Sequence, residues 1–120
     1  MKIIAYRERT WFSGEYEDTT DFRLWDHACR SFGVDLQLID DWSEAIVPEN
    51  SNIYLLDESG DVDLMTFSVD PDGTYVFGKT GMSLPNVIPS YTSVIKLTTP
   101  NSHITMFGIT VGSILMSRIL

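Results

Sequence analysis

The stretch Tyr75-Val76-Phe77-Gly78-Lys79-Thr80-Gly81 consists of an apolar strand that runs directly into a glycine turn. It lies in a part of the chain without acidic residues, because all 17 Asp and Glu residues precede Gly73. The first 72 residues carry a charge of −12, from 5 basic and 17 acidic residues, and residues 73–120 carry +3. Local charge sets the local field. The sequence therefore predicts that a ligand with a carboxylate or another anionic group binds in this acid-free part.

The chain alternates between strand-like and helix-like segments. Strands are expected at residues 2–8, 35–40, 52–57, 74–78 and 94–98, helices at 21–32, 61–67 and 102–119, and one helical turn at 42–47. Residues 9–20 are expected to form a loop. Such alternation predicts a single α/β domain over residues 1–120, with a mostly parallel sheet and flanking helices.

The two longer predicted helices have recognisable starts. Thr20 and Ser102 are residue types that cap helix N-termini, and each stands immediately before or at the start of its helix. The buried stripe of the first helix is expected to consist of four residues at helical spacing, namely Phe22, Trp25, Cys29 and Phe32.

The composition narrows the class of protein. The net charge of −9 disfavours avid, sequence-independent binding of nucleic acid, which depends on Lys and Arg. The single cysteine, Cys29, excludes an internal disulfide and suits a reducing compartment, so we expect a cytoplasmic protein without a secretory leader. The residues His27, Cys29 and His103 are too few and too dispersed for a zinc site, and no metal is expected.

The C-terminal segment is uncharged from residue 101 to residue 117. A membrane span requires about 20 mostly apolar residues. This segment has at most 17, and polar residues interrupt them. A buried or dimer-forming helix is therefore favoured over a membrane anchor, and no contact with a membrane is expected.

Residues 73–80 also match the phosphate-binding pattern G-x-x-x-x-G-K-[ST]. That pattern requires a strand, then a glycine loop, then a helix that starts at the Lys. Here the four middle residues are the predicted strand itself, and residues 81–85 are poor helix formers, so the match is interpreted as accidental. Lys79 then lies either in a hairpin turn or in a loop whose glycines let the backbone approach a ligand closely.

Two groups of residues are candidates for a functional site. In parallel sheets ligands bind at the carboxyl ends of the strands, which indicates the loops after Leu56, Phe77 and Leu97. The first helix carries three basic side chains on one face, at i, i+4 and i+7: Arg23, His27 and Arg30. This face is either a solvated surface or the wall of an active site.

Three segments resemble, in order and spacing, motifs of the SPOUT methyltransferases. Residues 32–39 (FGVDLQLI) are similar to the helix-to-strand junction of that family, residues 75–84 to its second motif, and residues 94–106 to its third. The resemblance implies a C-terminal trefoil knot whose loops bind S-adenosylmethionine in a bent shape. It also implies a homodimer formed through the C-terminal helix, and methylation of RNA with or without the help of a partner protein.

The resemblance implies roles for individual residues. Arg23 or His27 would orient the methyl acceptor or help to deprotonate it. The cofactor would be held at the strand ends, at the glycine turn and around the start of the last helix, by Leu56, Phe77, Gly78, Lys79, Gly81, Leu97, Thr98, His103 and Ile104.

The chain also differs from the family pattern. In an ungapped alignment the catalytic Arg of the first motif falls on His27, the acidic residue of the second on Thr80, and the Asn of the third on Ile104. These differences leave open a second interpretation, a related dimeric interaction protein that transfers no methyl group and uses its acidic first half as a contact surface. A third is an unrelated α/β binding module with Arg23 and Arg30 as anion contacts.

Overall fold

A computed structural model describes residues 1–120 except 13, 14, 19 and 20, and describes only the backbone of residues 9–12, 15–18 and 21. The elements occur in the order β1 (Lys2–Tyr6), β2 (Arg9–Phe12), β3 (Glu15–Asp18), α1 (Asp21–Phe32), β4 (Asp35–Ile39), a 3₁₀ helix (Trp42–Glu44), β5 (Ile53–Leu56), β6 (Thr74–Phe77), α2 (Leu84–Val87), β7 (Ser93–Ile95) and α3 (Gly108–Ser117).

Five strands form one parallel sheet in the order β4-β1-β6-β5-β7, and β2 pairs with β3 in a separate antiparallel hairpin. Every residue of β1 and of β6 is buried, as expected for central strands of a sheet that is covered on both faces. The predicted α/β fold, with a parallel sheet and flanking helices, is confirmed.

Alternate residues of the central strands face two separate cores. Ile3, Tyr75 and Phe77 belong to the core beneath α1 and α3, and Ile4 and Val76 belong to the core on the opposite face. The two helices approach each other closely because α3 has glycines where it meets α1. A Cβ atom at position 112 would lie 2.6 Å from the ring of the α1 residue Trp25.

The helices differ from the sequence prediction in three places. The stripe of α1 is narrower than expected, because Phe22 is 43% exposed whereas Trp25 and Cys29 are buried. Residues 61–67 form turns instead of a helix, since Val62 bridges to Ile95 beside the sheet and its carbonyl accepts the N–H of residue 96. A short helix, α2, forms at residues 84–87, where the proline after its first residue is compatible with a first turn.

The last helix begins six residues later than predicted. The chain bends back before α3, because the N–H of Met106 donates to the carbonyl of Leu97 at 2.8 Å. Ser102 does not cap α3; its hydroxyl instead accepts the N–H of Ile104 at 3.1 Å. No helix among the described residues combines the length and the apolar character that crossing a membrane requires.

Two predictions concern residues 9–20. The expected loop is wrong for its two paired segments, which form the β2–β3 hairpin. Thr20, the expected cap of α1, lies outside the described residues.

Gly60 allows the loop after β5 to lie directly on β7. A Cβ atom there would stand 2.5 Å from the carbonyl carbon of Ile95 and 2.6 Å from the nitrogen of Lys96. Both atoms belong to the backbone and cannot rotate away. The segment 57–62 is thereby held against the sheet edge, where the N–H of Asp57 also donates to Ile95.

Gly60→Ala is therefore expected to lower the free energy of unfolding by about 3 kcal/mol, because overpacking forces the backbone to shift. Urea denaturation followed by tryptophan fluorescence measures it. Gly33→Ala is the matched control: Gly33 has φ +66° but open space around it, so only the left-handed backbone is strained, at about 1 kcal/mol. A loss at residue 60 no larger than at residue 33 would contradict the packing argument.

Cys29 is buried between α1 and the sheet. Burial raises the pKa of its thiol to about 11 from an ordinary value of 9.0, with further contributions from the negative charges of Asp26 and Asp35. The folded protein therefore keeps the thiol protonated at a pH where the unfolded chain has already lost the proton.

The free energy of unfolding is expected to fall as the pH rises from about 9 towards 11, because deprotonation favours the unfolded chain. The interval between pH 9 and pH 10 is the informative one, since the raised pKa values of the phenols of Tyr6, Tyr54 and Tyr75 add their own dependence mainly above the ordinary value of 10.0. Denaturation curves at several pH values measure the slope. The Cys29→Ala variant should be less stable, but its free energy of unfolding should depend less on pH in this interval. An unchanged slope in the variant would refute the assignment of the pH dependence to Cys29.

Candidate functional site

A cleft of about 600 Å³ opens at the carboxyl ends of the sheet strands. Its floor includes the last residues of three strands, Tyr6 of β1, Leu56 of β5 and Phe77 of β6. Its rim is formed by residues 57–59, residues 78–83 and residues 105–109. This is the edge at which the sequence placed the ligand, because parallel strands end together there.

One wall of the cleft is apolar. Leu56, Phe77, Leu97 and Met106 line it, together with Trp25 from α1. The rings of Trp25 and Phe77 pack with their centroids 4.8 Å apart, so α1 supports this wall from behind. The backbone bond from Met106 to Leu97 turns the chain back over the cleft and brings the start of α3 to its rim.

The glycine turn forms the second wall. Gly81 has φ +78°, a left-handed conformation that favours glycine, and the N–H of Met82 donates to the carbonyl of Lys79 at 3.0 Å. The turn leads from β6 into α2, not into an antiparallel neighbour, so the hairpin alternative for Lys79 is wrong. The Lys79 side chain is exposed at the rim and carries a positive charge there.

Carboxylates from the acidic part of the chain bind the acid-free loops. Asp57 is 7% exposed and accepts the backbone N–H of Leu84 at 3.1 Å, while its other oxygen accepts the N–H and the hydroxyl of Ser59 at 3.1 and 2.6 Å. The loop after β5 is thus tied to the start of α2. These charge-assisted bonds fix the spacing of two rim segments.

Two further carboxylates repeat this arrangement at the rim. Glu8 accepts the N–H of Thr80 at 3.1 Å, and Glu58 accepts the hydroxyl of Thr105 at 3.4 Å. Both line the cleft with Asp57. The cleft therefore combines acid-free loops with groups from the acidic part of the chain, and its charged lining residues in the described part of the chain are three carboxylates and one lysine.

The predicted cofactor residues divide into two groups. Six line the cleft, namely Leu56, Phe77, Gly78, Lys79, Gly81 and Leu97. Thr98, His103 and Ile104 do not, because the chain turns away after Leu97 and returns only at residue 105, and the last two are exposed. The lining also includes residues 57–59 and the start of α3. Sequence reasoning indicated the loop after Leu56 but named none of these three residues, and it placed the start of the last helix six residues too early.

The predicted catalytic residues lie outside the cleft lining. Arg23 and His27 are exposed on α1, the helix whose buried Trp25 supports the apolar wall. Arg30, on the same face, pairs with Asp26 at 3.1 Å, as the solvated-surface interpretation expects for that residue.

Tyr6 brings a buried phenol to the floor of the cleft. Its hydroxyl has no hydrogen-bond partner among the described residues. Burial raises the pKa of this phenol, and the negative charges of Asp41 and Glu44 raise it further. Tyr6 therefore stays protonated at neutral pH, and its buried hydroxyl exposes no surface to the cleft.

The comparison with solved structures supplies a neighbour of the same fold. No protein-family model matches the chain, and no curated protein matches it in sequence. A solved structure from work on the 2-OH methylation of C/U34 on tRNA superposes with a TM-score of 0.64 over 98% of this chain and 88% of its own, at 13% sequence identity. At that identity the likeness concerns the fold, and the chain shares the α/β fold of this methylation-related protein.

Proposed function

We propose that the chain is an S-adenosylmethionine-dependent methyltransferase of the SPOUT kind that acts on RNA. The observation that carries the proposal is the cleft at the carboxyl ends of the parallel strands, rimmed by the loops that follow β5 and β6 and by the segment that leads from β7 into α3. The fold shared with a protein of tRNA 2-OH methylation supports the same class of reaction.

The residues of the cleft fit this cofactor. A volume of about 600 Å³ falls within the range of roughly 300–1,000 Å³ that is usual for small-molecule sites. The wall around Leu56, Phe77 and Leu97 suits a purine, and Lys79 suits a carboxylate. The exposed carboxylate of Glu58 suits the cofactor's sulfonium group, whereas Asp57 is buried and bonded to the rim.

The trefoil knot is part of the proposal. Its support is the position of β7, which pairs with β5 on one side and bridges to Val62 on the other, so that the chain after β7 leaves from between them. From there the chain reaches α3, and Arg118, just past that helix, donates to the carbonyl of Leu64 at 2.7 Å. The C-terminal part is thus bonded to the segment that would form the rim of the knotted loop.

The chain's own contribution to the reaction is binding and alignment. When bound, S-adenosylmethionine supplies an electrophilic methyl group on a sulfonium sulfur. The apolar wall holds the ligand and excludes water, and the bonds of Asp57 and Glu8 keep the rim segments at a fixed separation. Arg23 or His27 would orient the RNA ribose or help to remove the proton of its hydroxyl group. Both residues lie outside the cleft lining of their own chain.

A homodimer through α3 belongs to the same proposal. Phe107 at the start of α3 and Ile104 before it are 80% and 76% exposed, which is unusual for large apolar side chains. Phe22 and Leu24 of the adjacent α1 are also exposed. A second copy of the chain could cover this surface.

A cytoplasmic location is also part of the proposal, because it agrees with an RNA substrate and with a single buried thiol.

One observation favours the alternative, a binding protein without methyl transfer. Arg23 and His27, the residues on which catalysis would depend, are exposed and do not line the cleft. A chain of this kind would bind the cofactor, or a partner, without turnover.

Thr105→Trp is expected to weaken the binding of S-adenosylmethionine at least about tenfold, because an indole at this exposed rim position fills the cleft without entering the core. Isothermal titration calorimetry measures the dissociation constant. The control is Thr92→Trp, at an exposed position outside both the cleft lining and α3, which should bind as the natural chain does. Absence of heat at millimolar cofactor with the natural chain would refute the proposed function.

Arg23→Ala is expected to lower kcat/KM for methyl transfer about 100-fold, because the methyl acceptor is no longer held in line with the methyl group, with the cofactor dissociation constant unchanged. Transfer of labelled methyl groups to unmodified tRNA transcripts measures it. Arg30→Ala, on the same face but paired with Asp26, is the matched control and should retain activity. Cofactor binding without any methyl transfer by the natural chain would establish the alternative instead.

A further inference from the structure

We propose that Glu58 makes the cleft selective for a ligand with a cationic centre, so that the methylated cofactor binds more tightly than its demethylated product. The inference rests on the proposed function, because it concerns the ligand of the same cleft. It assigns to Glu58 a role in specificity that the sequence motifs do not indicate.

The first step is the charge of the cleft. Among the residues whose side chains the structure describes, the charged lining residues are Glu8, Asp57, Glu58 and Lys79, which together carry −2. S-adenosylmethionine carries a sulfonium and an ammonium against one carboxylate, a net charge of about +1. The product, S-adenosylhomocysteine, has a neutral thioether in place of the sulfonium and is neutral overall. An acidic cleft therefore attracts the cofactor more strongly than the product.

The second step identifies which carboxylate is available. Asp57 is buried, and both of its oxygens accept hydrogen bonds from Ser59 or from the N–H of Leu84. Glu8 accepts a backbone N–H from Thr80. Glu58 is exposed, and its one hydrogen bond within the described part of the chain is the long one from the Thr105 hydroxyl. Of the three carboxylates, that of Glu58 has the weakest hydrogen bonding within the chain and is the most accessible to a ligand.

The third step is the position of Glu58. It follows the apolar floor residue Leu56 by two positions and bonds to Thr105 on the opposite rim segment. The carboxylate thus lies between the loop after β5 and the segment before α3, beside the apolar wall. A cation in the cleft is partly shielded from water there, and its attraction to a carboxylate is less screened than at an open surface.

The test compares three ligands by calorimetry with the whole chain: S-adenosylmethionine, its cationic amine analogue sinefungin, and S-adenosylhomocysteine. The natural chain is expected to bind both cationic ligands about tenfold more tightly than the neutral one, as one partly screened ion contact predicts. The preference should shrink as salt rises from about 50 mM to about 500 mM.

Glu58→Gln is expected to reduce the preference to about twofold, while the affinity for S-adenosylhomocysteine stays unchanged. The amide oxygen of Gln can still accept the Thr105 hydroxyl, so the variant removes the charge and keeps the bond. Glu49→Gln is the matched control, since Glu49 is exposed and lies outside the cleft lining. It should retain the full preference.

The outcomes separate this inference from the proposed function. Equal affinity of the natural chain for all three ligands overturns the inference and leaves the proposed function standing. A preference that survives Glu58→Gln overturns the assignment to this residue. If none of the three ligands binds, the proposed function fails and the inference fails with it.

Discussion

The fold depends on the burial of a parallel sheet on both faces. The central strands β1 and β6 expose no residue, so every backbone N–H and C=O in them must pair with a neighbouring strand. Connections between parallel strands must then cross the faces, which places α1 and α3 on one side and α2 on the other. The strand ends remain as the edge at which loops meet, and the cleft is the space between those loops.

The acidic and acid-free parts of the chain come together at that edge. Besides their own backbone bonds, the acid-free segments donate hydrogen bonds to carboxylates from earlier in the chain, from Thr80 to Glu8, from Leu84 to Asp57 and from Thr105 to Glu58. The two parts of the chain that differ in charge therefore contribute different groups to the same cleft. The acid-free loops provide shape, apolar contact and one lysine, and the acidic part provides hydrogen-bond acceptors and negative charge.

Much of the fold could be predicted from the sequence, because burial leaves a local signature. Runs such as Ile3-Ile4-Ala5-Tyr6 and Tyr75-Val76-Phe77 are apolar throughout and indicate central strands directly. The 61–67 turn and the late start of α3 could not be predicted, since each depends on backbone pairing with residues outside the predicted helix, Ile95 for the one and Leu97 for the other. Local preference was overridden there by tertiary contacts.

The cleft, like the fold, could be predicted where it depends on local sequence and not where it depends on tertiary bonds. The strand-end rule located Leu56 and Phe77, but the importance of Asp57 arises from a bond to Leu84 that no spacing along the chain indicates.

The strand pairing has one more consequence, for the rate of folding. Lys2 in β1 pairs with Thr74 in β6, and these are neighbours at the centre of the sheet. The central strands cannot pair until the long segment between them has been brought into a loop. The chain loses the conformational entropy of that loop closure before it gains the stabilisation from burial. Such a domain is expected to fold slowly for its size, with its centre and its edges forming in one concerted step.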